Sequence, residues 1–526
     1  MVFAANRTPI AQLPVEILQE IFIFSCGSQY MYSCEWPQTA LIISWVCRAW
    51  RHLSHHTPAL WTFIEFIHPG WLDAVLSRSG NRLLEFRLTD PLPYEGKSNH
   101  LVSGCLGNLH RIEQLVISRD QHAETQAFPP PFDPHWATPA PVLVDLVLAR
   151  VSLPDELFSG TCPSLRFLTL YDCDFDWGSL PVHPGFQKFY IARPHYLTSA
   201  PSMIQRLRVI GPTLEQLHLE EVFSDVSPLD SATLWDQPTI SCENLRHLVL
   251  QEGGPHPVAS ILPQISLPHR INIFLDLRER ALETVQALVS CRNLETWPVS
   301  SLELSFGQDE VILRMVEDWT KVSTERYPIQ AHSRRYRMGP EIEIALHLPD
   351  FRASQTFPEF EAIPLPPIKH LSLSGGYSQT QDVSLLDYFS INGDVESIKL
   401  GIPMIPVFIQ WIEWQNDTLR ELFDGEANEE WDEDARASGR ESITFQKLAH
   451  LSISGEMTLL PEVEREHYLV LQEWLMWRSE LGIGLEVLVF SGMKIPSKSW
   501  TTELFEGVID EYIHYVKVEE VQQKGN

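Results

Sequence analysis

A chain of 526 residues is long for one ordinary compact domain and points to several domains or to a repeat array. Its hydrophobic fraction of 44% and aromatic fraction of 10% can furnish a core, which excludes a wholly disordered chain. The 39 Lys+Arg against 69 Asp+Glu give a formal charge of −30, which argues against nucleic acid or anionic membrane as partners and leaves proteins.

Residues Met1 to Pro9 hold one Arg and no apolar stretch of the length a secretory signal needs. No uninterrupted apolar run approaches the ~18 residues of a membrane span. The eight cysteines form no CxxC pair, so they read as reduced thiols and not as a disulfide framework or zinc ribbon. A cytoplasmic or nuclear protein is expected, with the sequons at Asn6 and Asn416 unglycosylated.

The first expected element is a helix beginning at Leu13-Pro14. Pro14 sits where the first helical turn has no use for an N–H, and Glu16 complements the positive end of the dipole. Ile17, Leu18, Ile21 and Phe22 recur at helical spacing on one face. After a polar stretch with Gly27, a second helix is expected over Thr39 to Ser54, with Ile43, Val46, Cys47, Trp50 and Leu53 keeping the period. A turn at Thr57-Pro58 then leads to Leu60 and Trp61. So short a unit makes a small core, and apolar surface left over is available to a partner.

These three blocks, Leu13-Pro14…Glu16-Ile17-Leu18…Ile21-Phe22, then Val46-Cys47-Arg48…Trp50-Arg51, then Pro58…Leu60-Trp61, resemble the F-box motif over residues 9–62. They are especially similar to the form found in large families of mushroom-type fungi, as is the following Trp71-Leu72…Leu76-Ser77-Arg78-Ser79-Gly80. The resemblance covers about a tenth of the chain. It implies a three-helix, all-α unit that inserts into a Skp-type adaptor, which bridges to a cullin and a RING subunit. By position, Leu13, Pro14, Ile17, Leu18, Ile21 and Phe22 would supply one contact block, Val46, Cys47 and Trp50 a second, and Leu60 and Trp61 a third. Some of them must instead form the unit's own core. The loop Gly27 to Thr39 is longer than the tight form of the motif, which bears on how the helices join.

A helical connector is expected over 63–80, and from 81 to 500 the spacing L-x-x-L-x-L recurs. Ten copies begin at Leu83, Ile112, Leu143, Leu165, Leu214, Leu245, Ile368, Val395, Leu448 and Leu485, with weaker ones at Phe186 and Leu294. Contiguous copies lie about 21 to 31 residues apart, which brackets the leucine-rich-repeat period. Turns such as Cys162-Pro163-Ser164, Gly211-Pro212-Thr213, Cys242-Glu243-Asn244 and Cys291-Arg292-Asn293 precede several copies. The reading is an α/β chain in which an irregular leucine-rich-repeat solenoid follows the small helical unit. Within it, Phe128 to Pro141 carries six prolines and is expected to be extended, and the acidic stretch Asp424 to Ser442 to be solvated or disordered. Amphipathic helices are expected over Glu310–Trp319 and Pro461–Glu480, and a C-terminal capping helix over 501–526, frayed from Gln522.

No phosphate-binding glycine loop, nucleophile elbow or H-E-x-x-H motif occurs, so no catalytic residue, cofactor or metal is assigned and no enzymatic activity is expected. His52, His55 and His56 read as histidines at a helix end, and Asp172, Asp174 and Asp176 as loop carboxylates lacking the Gly and Glu of an EF-hand. The function expected is a substrate-recognition adaptor of a Skp-cullin-F-box ubiquitin ligase, with the repeats holding an unidentified protein target. A repeat scaffold working outside any ligase is the alternative.

Overall fold

The structure is a computed structural model of the chain. It describes residues 10, 13–27, 36–65, 69–89, 103–118, 134–224, 239–252, 260–268, 271–277, 301–306, 310–316, 341–347, 368–375, 386–387, 389–390, 394–401, 404–423, 433–454, 465–491 and 515–519. The architecture is α/β with parallel sheets, divided into two compact units: residues 1–226 with 240–245, and 227–239 with 246–526. Among the described residues no helix is long and apolar enough to cross a membrane.

The first unit opens with helices α1 (Val15–Gly27), α2 (Trp36–Val46) and α3 (Arg48–His55). The single helix expected from Thr39 to Ser54 is thus broken. Cys47 is extended (φ −158°, ψ 172°) and its Sγ accepts the Trp50 N–H at 3.4 Å, so it caps α3 and does not continue α2. The apolar period runs through the break, which is why periodicity alone conceals it. A 3-10 turn, Pro58–Trp61, then delivers the chain into β1 (Phe63–Glu65). The connector expected to be helical therefore starts as a strand. It pairs in parallel with β2 (Leu84–Thr89), and among the described residues of the connector Pro69–Arg78 is helical, as α4.

Strands β3 (Ile112–Ser118), β4 (Asp145–Ala149), β5 (Phe167–Tyr171), β6 (Lys188–Ala192) and β7 (Gln216–Glu220) follow, each parallel to the one before. Their register aligns Ile64, Phe86, Leu115, Leu146, Leu168, Phe189 and Leu217 in one row, and Leu88, Ile117, Leu148, Leu170, Ile191 and Leu219 in another. Both rows are buried, so the alternation within each strand becomes a continuous apolar spine across strands. The first copy is shifted by one residue. Leu84, not Leu83, pairs with Ile112 and is buried, and a bulge after Leu84 restores the register. The weaker copy at Phe186 is β6, with Phe186, Phe189 and Ile191 all buried.

The expected turns stitch neighbouring copies together. Leu165, Leu214 and Leu245 donate their N–H groups to the carbonyls of Cys162, Gly211 and Cys242. Ser164 Oγ and Asn244 Nδ2 donate to Pro141 O and Pro212 O at 2.8 and 2.7 Å. At the other end, Arg150, Asp172, Arg193 and Glu221 each follow a strand directly and adopt φ between 47° and 59°. Helix α5 (Ala200–Ile210), capped by Ser199, buries Met203, Ile204, Leu207 and Ile210.

In the second unit β8 (His247–Glu252) pairs in parallel with β9 (Asn272–Leu277). Strands β10 (Ser301–Phe306), β11 (Glu310–Val316) and β12 (Glu341–His347) form an antiparallel meander, its outer strands pairing in parallel with β9 and with β13 (His370–Gly375). The helix expected over Glu310–Trp319 is therefore replaced by a strand from Glu310 to Val316. Its near-continuous run of Val, Ile, Leu and Met suits a strand paired on both sides. Strands β14 (Ser397–Gly401), β15 (His450–Ser454), β16 (Val487–Ser491) and β17 (Tyr515–Glu519) extend the sheet in parallel. Five residues of the expected C-terminal capping helix are thus a strand, because β16 offers an edge whose N–H and C=O groups need partners; the rest of that segment lies outside the described residues.

Between these strands the chain forms helices α6 (Ile405–Phe423), α7 (Glu433–Ser442) and α8 (Arg465–Glu480), with α6 packed against the other two. Helix α8 lies within the helix expected over Pro461–Glu480. The described part of the acidic stretch is helical and not irregular. Phe408 and Trp411 of α6 and Trp474 of α8 pack ring to ring with one another and with Phe445. The sequence features at Leu294, Cys291-Arg292-Asn293 and Gln522–Asn526 lie outside the described residues, as does most of the proline-rich stretch before the 3-10 turn Pro134–Ala137.

Candidate docking face

Residues of the first two helices divide into an inner and an outer row. On α1, Leu18, Phe22 and Cys26 stand four apart and are buried, with the Phe22 ring 4.7 Å from that of Trp50. One step round the helix, Ile17 and Ile21 face outward with Leu13 and Pro14. The sequence places Ile17, Leu18, Ile21 and Phe22 on one face, but adjacent positions differ by about 100° around a helix, enough to send one pair inward and the other out.

The eleven candidate contact residues separate accordingly. Leu13, Pro14, Ile17, Ile21, Val46 and Cys47 are exposed, Trp50 is half-buried, and Leu18, Phe22, Leu60 and Trp61 are buried. Trp61 is anchored in place. Its Nε1–H donates to Ser54 O at 2.8 Å, the Arg78 guanidinium lies 4.5 Å over its ring, and the His55 ring meets it edge-on at 6.1 Å. Burial and the nearby Arg78 and Arg51 hold His55 below the usual histidine range. Arg51 Nε donates to Ser44 O at 3.0 Å and Gln19 Nε2 to Thr57 Oγ1 at 3.2 Å, tying the three helices together. The block Leu60-Trp61 therefore serves the interior.

Sequence reasoning missed four further exposed apolar residues: Val15, Phe24, Ile42 and Trp45. Together with Ile10, Leu13, Ile17, Ile21 and Val46 they make nine of the eighteen exposed large hydrophobic residues among those described, all within Ile10 to Val46. Half of the exposed large hydrophobic residues described thus lie on or beside the first two helices. The signal for them was their spacing of three or four from motif residues, available in the sequence but ambiguous between core and surface.

The other candidate groups are engaged locally. His56 Nδ1 lies 2.7 Å from His52 O, and the two rings are 4.2 Å apart. Asp172 accepts from Arg150 Nε at 3.1 Å, and Asp174 from Ser152 at 3.4 Å. Among the described residues no group of three His, Cys, Asp or Glu stands close enough to hold a metal ion. On the outward side of β5 to β7, Tyr190 stacks on His218 at 3.9 Å and the Arg193 guanidinium lies 4.9 Å over Tyr171. Burial pushes the Tyr190 hydroxyl well above its ordinary value.

A scan against protein-family models finds no matching family, and a search of curated proteins finds no match.

Proposed function

We propose that this chain is a substrate-recognition adaptor of a Skp-cullin-F-box type ubiquitin ligase, in which α1 to α3 act as the F-box and the strand array acts as a leucine-rich-repeat solenoid presenting a surface to a protein target. The observation that carries this reading is the outward apolar row of Leu13, Ile17, Ile21 and Val46, positions that the motif assigns to the adaptor. Burying each such side chain is worth about 1.5–3 kcal/mol, so a partner covering the row gains a usable affinity. The recurrence of buried L-x-x-L-x-L strands in parallel order supports the repeat half of the proposal.

The mechanism is proximity. A target held near the ubiquitin-carrying enzyme meets it at a raised effective concentration, and this chain performs no bond chemistry itself. The test is binding of the purified full chain to a purified Skp-type adaptor, with and without Ile17→Asp plus Ile21→Asp. These exposed positions tolerate charge in the free chain, so the double variant is expected to fold and to lose the adaptor. Absence of binding by the unaltered chain would sink the reading. Adaptor binding without cullin recruitment would favour a scaffold working outside a ligase.

A further inference from the structure

We propose that Phe24, Ile42 and Trp45, which lie outside the motif, complete the docking face and set how tightly this chain holds its adaptor. This inference rests on the adaptor reading above. Phe24 is 75% exposed, Trp45 63% and Ile42 54%, and Phe24 is the most exposed large hydrophobic residue among those described.

Phe24 and Ile42 each extend a row that the motif begins, and Trp45 neighbours Ile42 one turn on. Phe24 stands three residues beyond Ile21 and seven beyond Ile17, so the three form one stripe along α1. Ile42 stands four before Val46 on α2 and Trp45 three beyond Ile42, so the three lie on one exposed arc of that helix. The inner sides of both helices are already occupied. Leu18, Phe22 and Cys26 on α1 and Ala40, Ile43 and Ser44 on α2 are buried. Neither the Phe24 ring nor the Trp45 ring meets another aromatic ring among the described residues, whereas Phe22, Trp50 and Trp61 all do. Their side chains thus do little for the helical unit itself.

Continuity decides the occupant. A partner that covers Ile21 and Val46 meets Phe24 and Trp45 within one turn of the same helices, so one partner covers both sets. The chemistry it must offer is an apolar groove with a hydrogen-bond acceptor near its rim, because Trp brings a large apolar body and one N–H donor. Aromatic anchors of this kind dominate the energetics of interfaces they occupy.

The test measures equilibrium binding of the full chain to a purified Skp-type adaptor. Trp45→Ala and the double variant Phe24→Ala, Trp45→Ala are expected to weaken binding about tenfold or more. Trp45→Tyr should recover much of the loss, and Trp414→Ala, at an exposed Trp of the second unit, should leave binding unchanged. Circular dichroism and the thermal midpoint should match the unaltered chain, since exposed side chains are replaced. If the unaltered chain binds and the Phe24, Trp45 variant binds equally well, the inference is overturned while the adaptor reading stands. If the unaltered chain does not bind, the adaptor reading itself fails. If the double variant instead disperses a dimer of this chain and leaves adaptor binding intact, the face belongs to a second copy and the inference is likewise overturned.

Discussion

Glu220, at the end of β7, is nearly buried, and burial by itself would push its carboxyl upward. The His218 ring and Arg193, whose Nε donates at 2.8 Å, outweigh that and hold it below its ordinary value of 4.5. A carboxyl whose proton is held less tightly in the folded chain stabilises it above the unfolded value, and that stability is lost as pH falls through the lowered one. Glu220→Gln should therefore flatten the acid limb of the stability curve below pH ~4.5. Denaturant titrations at pH 6 and pH 3.5 measure this, and parallel losses in both proteins would refute the assignment. Arg478 is the opposite case. It is fully buried, its Nη1 and Nη2 donate to Thr444 O and Leu448 O at 3.2 and 3.1 Å, and burial pushes its guanidinium below the ordinary value. The residue holds the turn that leads into β15 against α8, where a shorter cation could not span both carbonyls.

At the scale of the element, each strand's contribution depends on which side of the sheet a residue occupies. Leu168 points inward between Leu146 and Phe189, whereas Thr169, its neighbour in the chain, points outward. Leu168→Ala should destabilise the first unit by about 2–5 kcal/mol, while Thr169→Ala should stay within roughly 0.5 kcal/mol. Chemical denaturation of the two variants decides it, and similar losses would mean that the alternation does not describe the packing. The strands also end alike. The left-handed Arg150, Asp172 and Arg193 send their N–H groups to Tyr171 O, Ala192 O and Glu220 O at 2.7–2.8 Å, extending the ladder past the last strand residue. That gain offsets a conformation costing about 1–2 kcal/mol for a residue with a Cβ. Gly160 sits at φ +65° after Phe158 and Ser159, themselves at positive φ, so the turn over Trp136 stacks three left-handed residues in succession.

For the whole molecule, the N-terminal helices and the first sheet are one compact unit, joined through buried Leu60, Trp61 and Ile64. Strand β1 pairs with β2, and Arg111 ties α4 to the start of β3 by donating to Gly80 O, Leu76 O and Ser79 Oγ. Deleting residues 1–65 should therefore do more than remove a docking module. It strips β1 from β2 and exposes a strand edge with a row of unpaired N–H and C=O groups. Association detected by light scattering, with a lowered thermal midpoint, is the expected result. A monomer of unchanged midpoint would show the helical segment to be independent of the sheet.

The sequence by itself determined the α/β class, the recurring strands and the outline of the N-terminal helices, because periodicity of burial is written directly in residue order. Ten spacings of L-x-x-L-x-L lie at strands, since a short strand with alternating burial needs only local pattern. Tertiary structure decided what the pattern leaves degenerate. Ile17 and Leu18 are adjacent apolar residues, and only the packing of the helices assigned Ile17 to the surface and Leu18 to the core. Val311, Ile312 and Leu313, expected within a helix, are fixed as β11 by pairing on both sides. Cys47 ends one helix and caps the next through its own extended backbone, which sets its sulfur against the Trp50 N–H three residues on. Side-chain hydrophobicity specifies that a residue seeks cover, whereas the neighbours supplied by the fold, or by a partner, decide where the cover comes from.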